Sequence, residues 1–431
     1  MILRYLAIAM VAAFAILPTA LWATIGSFDP ETATRAYTDT LQGAARDRSD
    51  AYFEGGYWLV LWGTIVAVLA EWILLRTGLS ARFRDLGERI TKRRWLVPAL
   101  YAIPYVIVST LIVLPWTIYT GFVREGHYGL MNLGFGAWLG EQAIGLGLGI
   151  IGMALFLLAL FAVIRRSPKR WWLWGTGIIA AFFTIGIAIM PVFVSPLFND
   201  YTPMEDGPLR DRILAMAEAH NVPADNVYVF DQSRQHDRIS ANVSGLFGTM
   251  RISLNDNLLE RSTPEEVEAV MGHELGHYVL NHVLVLVVVL SLIMGLGLFV
   301  TAKLAPRILA RHGEKWGVRD IGDPAAFPLL VAILTVYLML MTPAQNSLVR
   351  IVESQADAFG LDAARQPDGF ASIAMKLSEY RKIEPGALEE LVFFDHPSGR
   401  TRVRMAMDWK AANVESPVMV VPPAPEAEPE G

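Results

Sequence analysis

Hydrophobic residues in this chain fall into long unbroken runs, not into helical stripes or alternating strands. Seven runs, near 5–25, 57–75, 97–119, 143–164, 173–196, 279–303 and 325–343, are each about 20 residues long, which is what a helix needs to cross a bilayer. The first run, Tyr5 to Ala23, also reads as a signal peptide ending at Ala-Leu-Trp-Ala. Its leading segment holds only Arg4 and six further runs follow, so a retained helix is expected. Gly145, Gly149 and Gly152 give the fourth run the small-residue spacing of close helix packing. Trp58, Trp62, Trp95, Trp116, Trp138 and the Trp171, Trp172, Trp174 cluster lie near run ends, as interfacial anchors do.

Polar segments fill the gaps. Residues 197–272 have soluble character, with an amphipathic helix expected over Leu209 to His220. Asn226 to Asp231 reads as a strand, as do Ile239 to Leu246 and Thr249 to Leu254, with Gly245 and Gly248 near the turn between the last two. An exposed edge in such a sheet can take a substrate peptide by strand addition, or the pair can be a plain covering hairpin. After the seventh run, Asn346 to Ala364 reads as helix, and a soluble segment continues to about Val414. Glu415 to Gly431 is rich in Pro and Glu with little to bury, and is expected to be disordered. The expected division is therefore 1–196 for five membrane helices, 197–278 and 344–414 for two parts of a soluble domain, 279–343 for two more membrane helices, and 415–431 for a tail.

Composition supports a membrane protein. Apolar residues make up 53% of the 431, charged residues only 18%, and mean hydropathy is +0.38. The net charge of -6 excludes an ordinary nucleic-acid binder. The absence of cysteine removes disulfides, thiolate metal ligands and a cysteine nucleophile. Basic residues gather in alternate loops: Arg76 to Arg94, Arg165 to Arg170, and Lys303 to Arg319. By the positive-inside rule these loops are cytoplasmic and segment 197–272 lies on the opposite side.

That segment leads into Gly272-His273-Glu274-Leu275-Gly276-His277-Tyr278, an HExxH pattern. Thr263 is placed to cap the helix, Pro264 suits its first turn, and Glu265 and Glu266 complement its positive end. Residues four apart share a helix face, so His273 and His277 can hold one Zn²⁺, with Glu274 beside them as general base. Chance matches to HExxH are common, but an apolar helix does not bury two His and a Glu without partners. A catalytic zinc takes three protein ligands and leaves one position open. Without thiolates, the third ligand must be a carboxylate or another His. His282 lies five positions past His277, about 500° around a continuous helix, and is read as outside the site. Glu353, in Glu353-Ser-Gln-Ala-Asp357, follows a membrane run and is the best candidate, with Asp357 on the same face to orient an imidazole.

These stretches resemble the type I CAAX prenyl endopeptidases, membrane zinc metalloproteases of the gluzincin kind. The resemblance runs from the apolar runs to about residue 405 and is carried by Pro196 to Gly207, Asn242 to Gly248, His273 to His282 and Glu353 to Phe359. It implies a mainly α, multi-pass fold with seven transmembrane helices around a chamber, plus a small α+β zincin domain. It implies one Zn²⁺ per chain on His273, His277 and Glu353, with Glu274 as base and Asp357 behind the ligands. It also implies substrate contacts at Asn242 and Arg402, and a His396 that donates to the developing oxyanion.

The expected activity is therefore hydrolysis of peptide bonds in peptide or protein substrates beside the bilayer, with CAAX-type processing of lipidated substrates implied by the resemblance and no nucleic-acid partner. The expected place is a bacterial inner membrane. The family's cytosolic catalytic side disagrees with the loop charges, and the natural substrate stays open. A quality-control protease of the HtpX type has the same chemistry but fewer spans. A non-catalytic protein with structural zinc would want four ligands, and only three are in view.

Overall fold

The computed structural model describes residues 28–244 and 250–420. The first apolar run, the turn at Gly245 and Gly248 and most of the acidic tail lie outside them.

Long helices follow the apolar runs. They are α2 (Gly43–Arg76), α4 (Val97–Ile118, continued by a π-turn and a short helix to His127), α5 (Phe135–Arg166), α6 (Trp171–Ile189, continued to Leu197) and α10 (His282–Trp316), with α1 (Pro30–Thr38) and α3 (Leu79–Ile90) flanking the first. Among the described residues these five are long and apolar enough to cross a membrane. The last apolar run gives a helix of only 14 residues. It forms α11 (Phe327–Leu340), which breaks at Met341 and turns by 58° into α12 (Thr342–Ala364). Pro343, at the start of α12, lacks the N–H that would continue the helix. The described residues thus hold five spans, or six with the bent pair, and the first of the seven expected runs lies outside them.

The bundle core joins Leu74, Tyr101, Phe161, Trp171, Leu298 and Phe327 from five of these helices and α11. Leu284, Leu292 and Ile151 point outward, as lipid-facing side chains do. The glycines of the fourth run do not make the expected close contact, because the space around Gly145, Gly149 and Gly152 is open. Close approach occurs elsewhere. A Cβ on Gly295 would sit 2.5 Å from Thr176 Oγ1, so α10 and α6 cross there, and one on Gly297 would meet Leu334 and Tyr337 of α11 at 2.7 Å. Trp58, Trp62, Trp95 and Trp174 are exposed, but Trp138 and Trp171 are buried core residues and not interfacial anchors. An apolar cavity of about 320 Å³ opens between α5, α6, α10 and α11.

The three basic segments meet at one end of the bundle. Arg84 donates to Gly317 O (2.9 Å) and to Asp323, and Arg319 pairs with Glu88 at 2.6 Å. The other end carries the remaining elements: β1 (Tyr201–Pro203), α7 (Pro208–Ala219), β2 (Val227–Phe230), β3 (Ala241–Ser244), β4 (Arg251–Asn255), α8 (Asp256–Arg261), α9 (Pro264–Val279), α13 (Pro367–Leu377), α14 (Ala387–Phe393) and α15 (Gly399–Asn413). The sheet order is β1-β2-β4-β3. β2 and β4 run parallel, and β3 pairs antiparallel with β4 as an edge, with Asn242 opposite Ser253. Ile213, Ile252, Leu254, Val267, Met271 and Leu275 bury the sheet face against α7 and α9. A second cluster joins Phe370, Val403 and Met407 to Ala33 and Tyr37 of α1, and the Tyr37 hydroxyl donates to Asp368 (3.0 Å). By packing, residues 30–38 therefore belong with the soluble part and not with the membrane helices that follow them.

Helices α9 and α12 cross almost backbone to backbone. A Cβ on Gly360 would lie 2.7 Å from His273 N, and one on Gly276 would lie 3.2 Å from Ala356 Cα. Nothing at this crossing can yield except the helices themselves. Gly360→Val is expected to destabilise the protein by about 1–3 kcal/mol through overpacking. A thermal unfolding midpoint in detergent equal to that of the wild type would refute this.

Candidate metal centre

The crossing sets the candidate ligands. Helix α9 begins with a capping box in which Thr263 Oγ1 accepts from Glu266 N and Glu266 Oε2 accepts from Thr263 N (2.8 Å). From that fixed start, His273 and His277 project toward α12, where Glu353 faces them. His273 Nε2 and His277 Nε2 lie 3.1 Å apart. Glu353 Oε2 is 3.2 Å from His273 Nε2, and Oε1 is 3.5 Å from His277 Nε2. All three ligand atoms fall within 4.8 Å of one another.

This donor set fits a divalent cation. Glu353 Oε2 is buried without a hydrogen-bond partner, although nitrogens of His273 and His396 stand 3.2 Å away. A buried carboxylate oxygen in that condition calls for a ligand. Two imidazoles and one carboxylate are also a set that zinc accepts, with a fourth position left free.

Asp357, fully buried, accepts from His273 Nδ1 (2.8 Å). Arg402 donates to the same carboxylate from Nε (2.9 Å) and Nη2 (2.6 Å). Arg402, 8% exposed, is thus tied to Asp357, and it also lines the cleft that Glu274 faces. The reason is electrostatic: Asp357 carries a charge with no water around it, and a forked cation compensates it. Burial also holds the protonated form of Arg402 down, but Asp357 outweighs this and raises its pKa.

As protein groups alone, the ligating pair titrates unequally. Burial opposes a charge on His273, but its bond to Asp357 and the nearby Glu353 carboxylate hold it up at about 10. Burial and then the neighbouring His273 push His277 down to about 4. Burial, reinforced by Glu353, raises Glu274 to about 7.

Glu274 and His273 line a cleft of about 180 Å³ with His396 and Arg402, and Ile239 and Ser240, which lead into the edge strand, and its first residue Ala241 form part of its wall. His396 Nε2 stands 3.2 Å from Glu353 Oε2, and its Nδ1 donates to Asp395 (2.9 Å). Asn242 lies one residue beyond the strand positions that form the cleft wall, with its Oδ1 accepting from Ser244 Oγ (2.9 Å).

One residue excluded on sequence grounds stands against the site. His282 Nδ1 is 3.0 Å from His277 Nδ1, and His282 Nε2 is 3.2 Å from Gln355 Oε1. The rotation argument assumed an unbroken helix. In fact α9 ends at Val279 and Asn281 takes a left-handed conformation (φ 55°), which folds His282 back toward the site. Asparagine is a residue that tolerates this conformation, and that was the available signal.

The chain matches the sequence model of peptidase family M48 over residues 203–410, and that of the CAAX prenyl protease N-terminal portion, five membrane helices, over residues 30–200. It is 27% identical to an uncharacterized metalloprotease, YhfN, of Bacillus subtilis over 79% of this chain and 81% of that one. It is 30% identical to a CAAX prenyl protease 1 homolog of Dictyostelium discoideum over 64% of this chain and 66% of that one, and 24% identical to the human homolog over 76% of each. In three dimensions it resembles the crystal structure of S. mikatae Ste24p, with a TM-score of 0.70, 20% identity and coverage of 92% of this chain and 98% of that one, a likeness of fold.

Arg402→Met leaves the Asp357 charge buried without its cation. It is expected to destabilise the protein by about 3–5 kcal/mol, and the Arg402→Met, Asp357→Asn double variant by less than the sum of the two single changes. A double-mutant cycle on denaturant unfolding checks this, and strict additivity would refute it.

Proposed function

This chain belongs to peptidase family M48, and from that membership we propose that it is a zinc-dependent endopeptidase that cuts peptide bonds close to the membrane, with prenylated CAAX termini as substrates. It is a multi-pass membrane metallopeptidase of the CAAX prenyl protease type. The observation that carries the finer reading is the convergence of His273 Nε2, His277 Nε2 and Glu353 on one point, with Glu274 in the adjoining cleft. The substrate class rests on the names of the relatives. The HtpX-type alternative has less support, because the five-helix N-terminal model covers residues 30–200.

His273, His277 and Glu353 would hold the ion. When bound, zinc supplies Lewis acidity that acidifies water and polarises a carbonyl. Glu274 takes the proton of the attacking water and passes it to the leaving amine. Burial suits it to both steps, since a carboxyl raised to about 7 gains and loses a proton readily near neutral pH. His396 is placed to donate from Nε2 to the developing oxyanion, with Asp395 beside its Nδ1. The edge strand β3 presents backbone groups along the cleft, where an extended peptide can pair in register. Asn242 is placed to contact that peptide's backbone. The basic segments gather at the opposite end of the bundle, which supports a catalytic face turned away from the cytoplasm of a bacterial inner membrane.

Purified protein is expected to bind one zinc per chain. Glu274→Gln should keep that zinc and lose about 10²–10⁴-fold in cleavage of a farnesylated CAAX peptide. Normal cleavage by this variant would refute the mechanism. An unfolded membrane protein, cut in place of the peptide, would favour the quality-control reading. His396→Ala is expected to lower kcat by about 10²–10³-fold with zinc retained. An unchanged kcat would remove His396 from the oxyanion role.

A further inference from the structure

We propose that His282 and Gln355 fix the tautomer of His277 and thereby keep its Nε2 lone pair free for the metal. This rests on the reading of His277 as a ligand.

The observation is a chain of two contacts. His277 Nδ1 lies 3.0 Å from His282 Nδ1, and His282 Nε2 lies 3.2 Å from Gln355 Oε1. The amide oxygen of Gln355 can only accept, so the hydrogen between it and His282 belongs to His282 Nε2. A neutral imidazole has one N–H, which leaves His282 Nδ1 as a bare acceptor. The hydrogen in the second contact must then come from His277 Nδ1. His277 has in turn spent its one N–H, and its Nε2, the atom that faces His273 and Glu353, is unprotonated. An imidazole binds a metal through just such a nitrogen.

The opposite arrangement fails at the same distances. A proton on His282 Nδ1 would leave its Nε2 bare at 3.2 Å from the Gln355 oxygen, so that two acceptors face each other with no hydrogen between them. The relay is also held rigidly. His282 is 2% exposed and its ring meets that of His277 edge to face, with centroids 5.1 Å apart. Gln355 stands two residues from Glu353 on α12, so one helix supplies both a ligand and the acceptor that ends the relay.

The two imidazoles are therefore supported differently. His273 donates to an anion, Asp357, which Arg402 braces. His277 donates to a neutral ring that ends on a neutral amide. His282 and Gln355 touch no reacting atom, and they are positioning residues.

The test uses full-length protein in detergent, stripped of metal, with the zinc Kd measured by competition against a chromophoric chelator. Gln355→Met keeps the side-chain length and removes the acceptor. Gln355→Glu keeps an acceptor. His282→Phe keeps a ring without nitrogens. Gln355→Met and His282→Phe are expected to weaken the zinc Kd by about 10–100-fold, and Gln355→Glu to hold it near the wild-type value. The metal-free Gln355→Met protein should unfold at the wild-type temperature, which separates tautomer control from packing. Should His282→Phe fail to fold, the two Gln355 variants decide the matter. A wild-type Kd in Gln355→Met, or equal weakening in Gln355→Glu and Gln355→Met, overturns the proposal. Wild-type protein that binds no zinc overturns the metal reading itself.

Discussion

The structure depends on the contact between the backbones of α9 and α12. At Gly272, Gly276 and Gly360 the two helices approach so closely that a single methyl group would collide with main-chain or Cβ atoms of the partner. Side chains beside such a contact have little freedom, because helix–helix distance and rotation are set by rigid backbone. His273 and His277 on one helix and Glu353 and Asp357 on the other are held together as a consequence. The geometry of this candidate metal site is thus a property of helix packing, and it does not rely on mobile loops.

Around that contact the polar groups form layers of decreasing freedom. Glu353 has a buried oxygen without a partner and Glu274 faces the cleft, so these groups are available for chemistry. Asp357 has every contact filled, by His273 on one side and Arg402 on the other. Desolvation explains the ordering. A charge with no water survives only when paired, and pairing fixes its position. The buried charges thereby hold the available ones in place.

The membrane helices contribute by position. Contacts at Gly295 and Gly297 lock α10 to α6 and α11, and α11 then bends into α12. The element that brings Glu353 to the site is therefore anchored in the bundle. Residues 30–38 pack back onto α13 and α15, so the soluble part is assembled from three separated stretches of chain. A fold of this kind cannot be cut at one boundary into a membrane half and a catalytic half.

Much of this was determined by the sequence alone. The apolar runs dictate membrane helices, because only a helix satisfies its own backbone in lipid. HExxH after a Thr-Pro-Glu-Glu start dictates two imidazoles on one face, because the relation between positions i and i+4 is intrinsic to the helix. That Glu353 and Asp357 share a face was legible for the same reason. What needed the tertiary structure lies across breaks in local order. A left-handed Asn281 turned His282 back to the site, and a break at Met341 set the helix of the last apolar run at 58° to the helix that carries Glu353. Small-residue spacing in the fourth run pointed to Gly145, Gly149 and Gly152, yet the close contacts formed at Gly295, Gly297 and Gly360. Local spacing says which side chains share a face. Which face meets which partner is decided by packing between distant segments, and no local pattern carries that information.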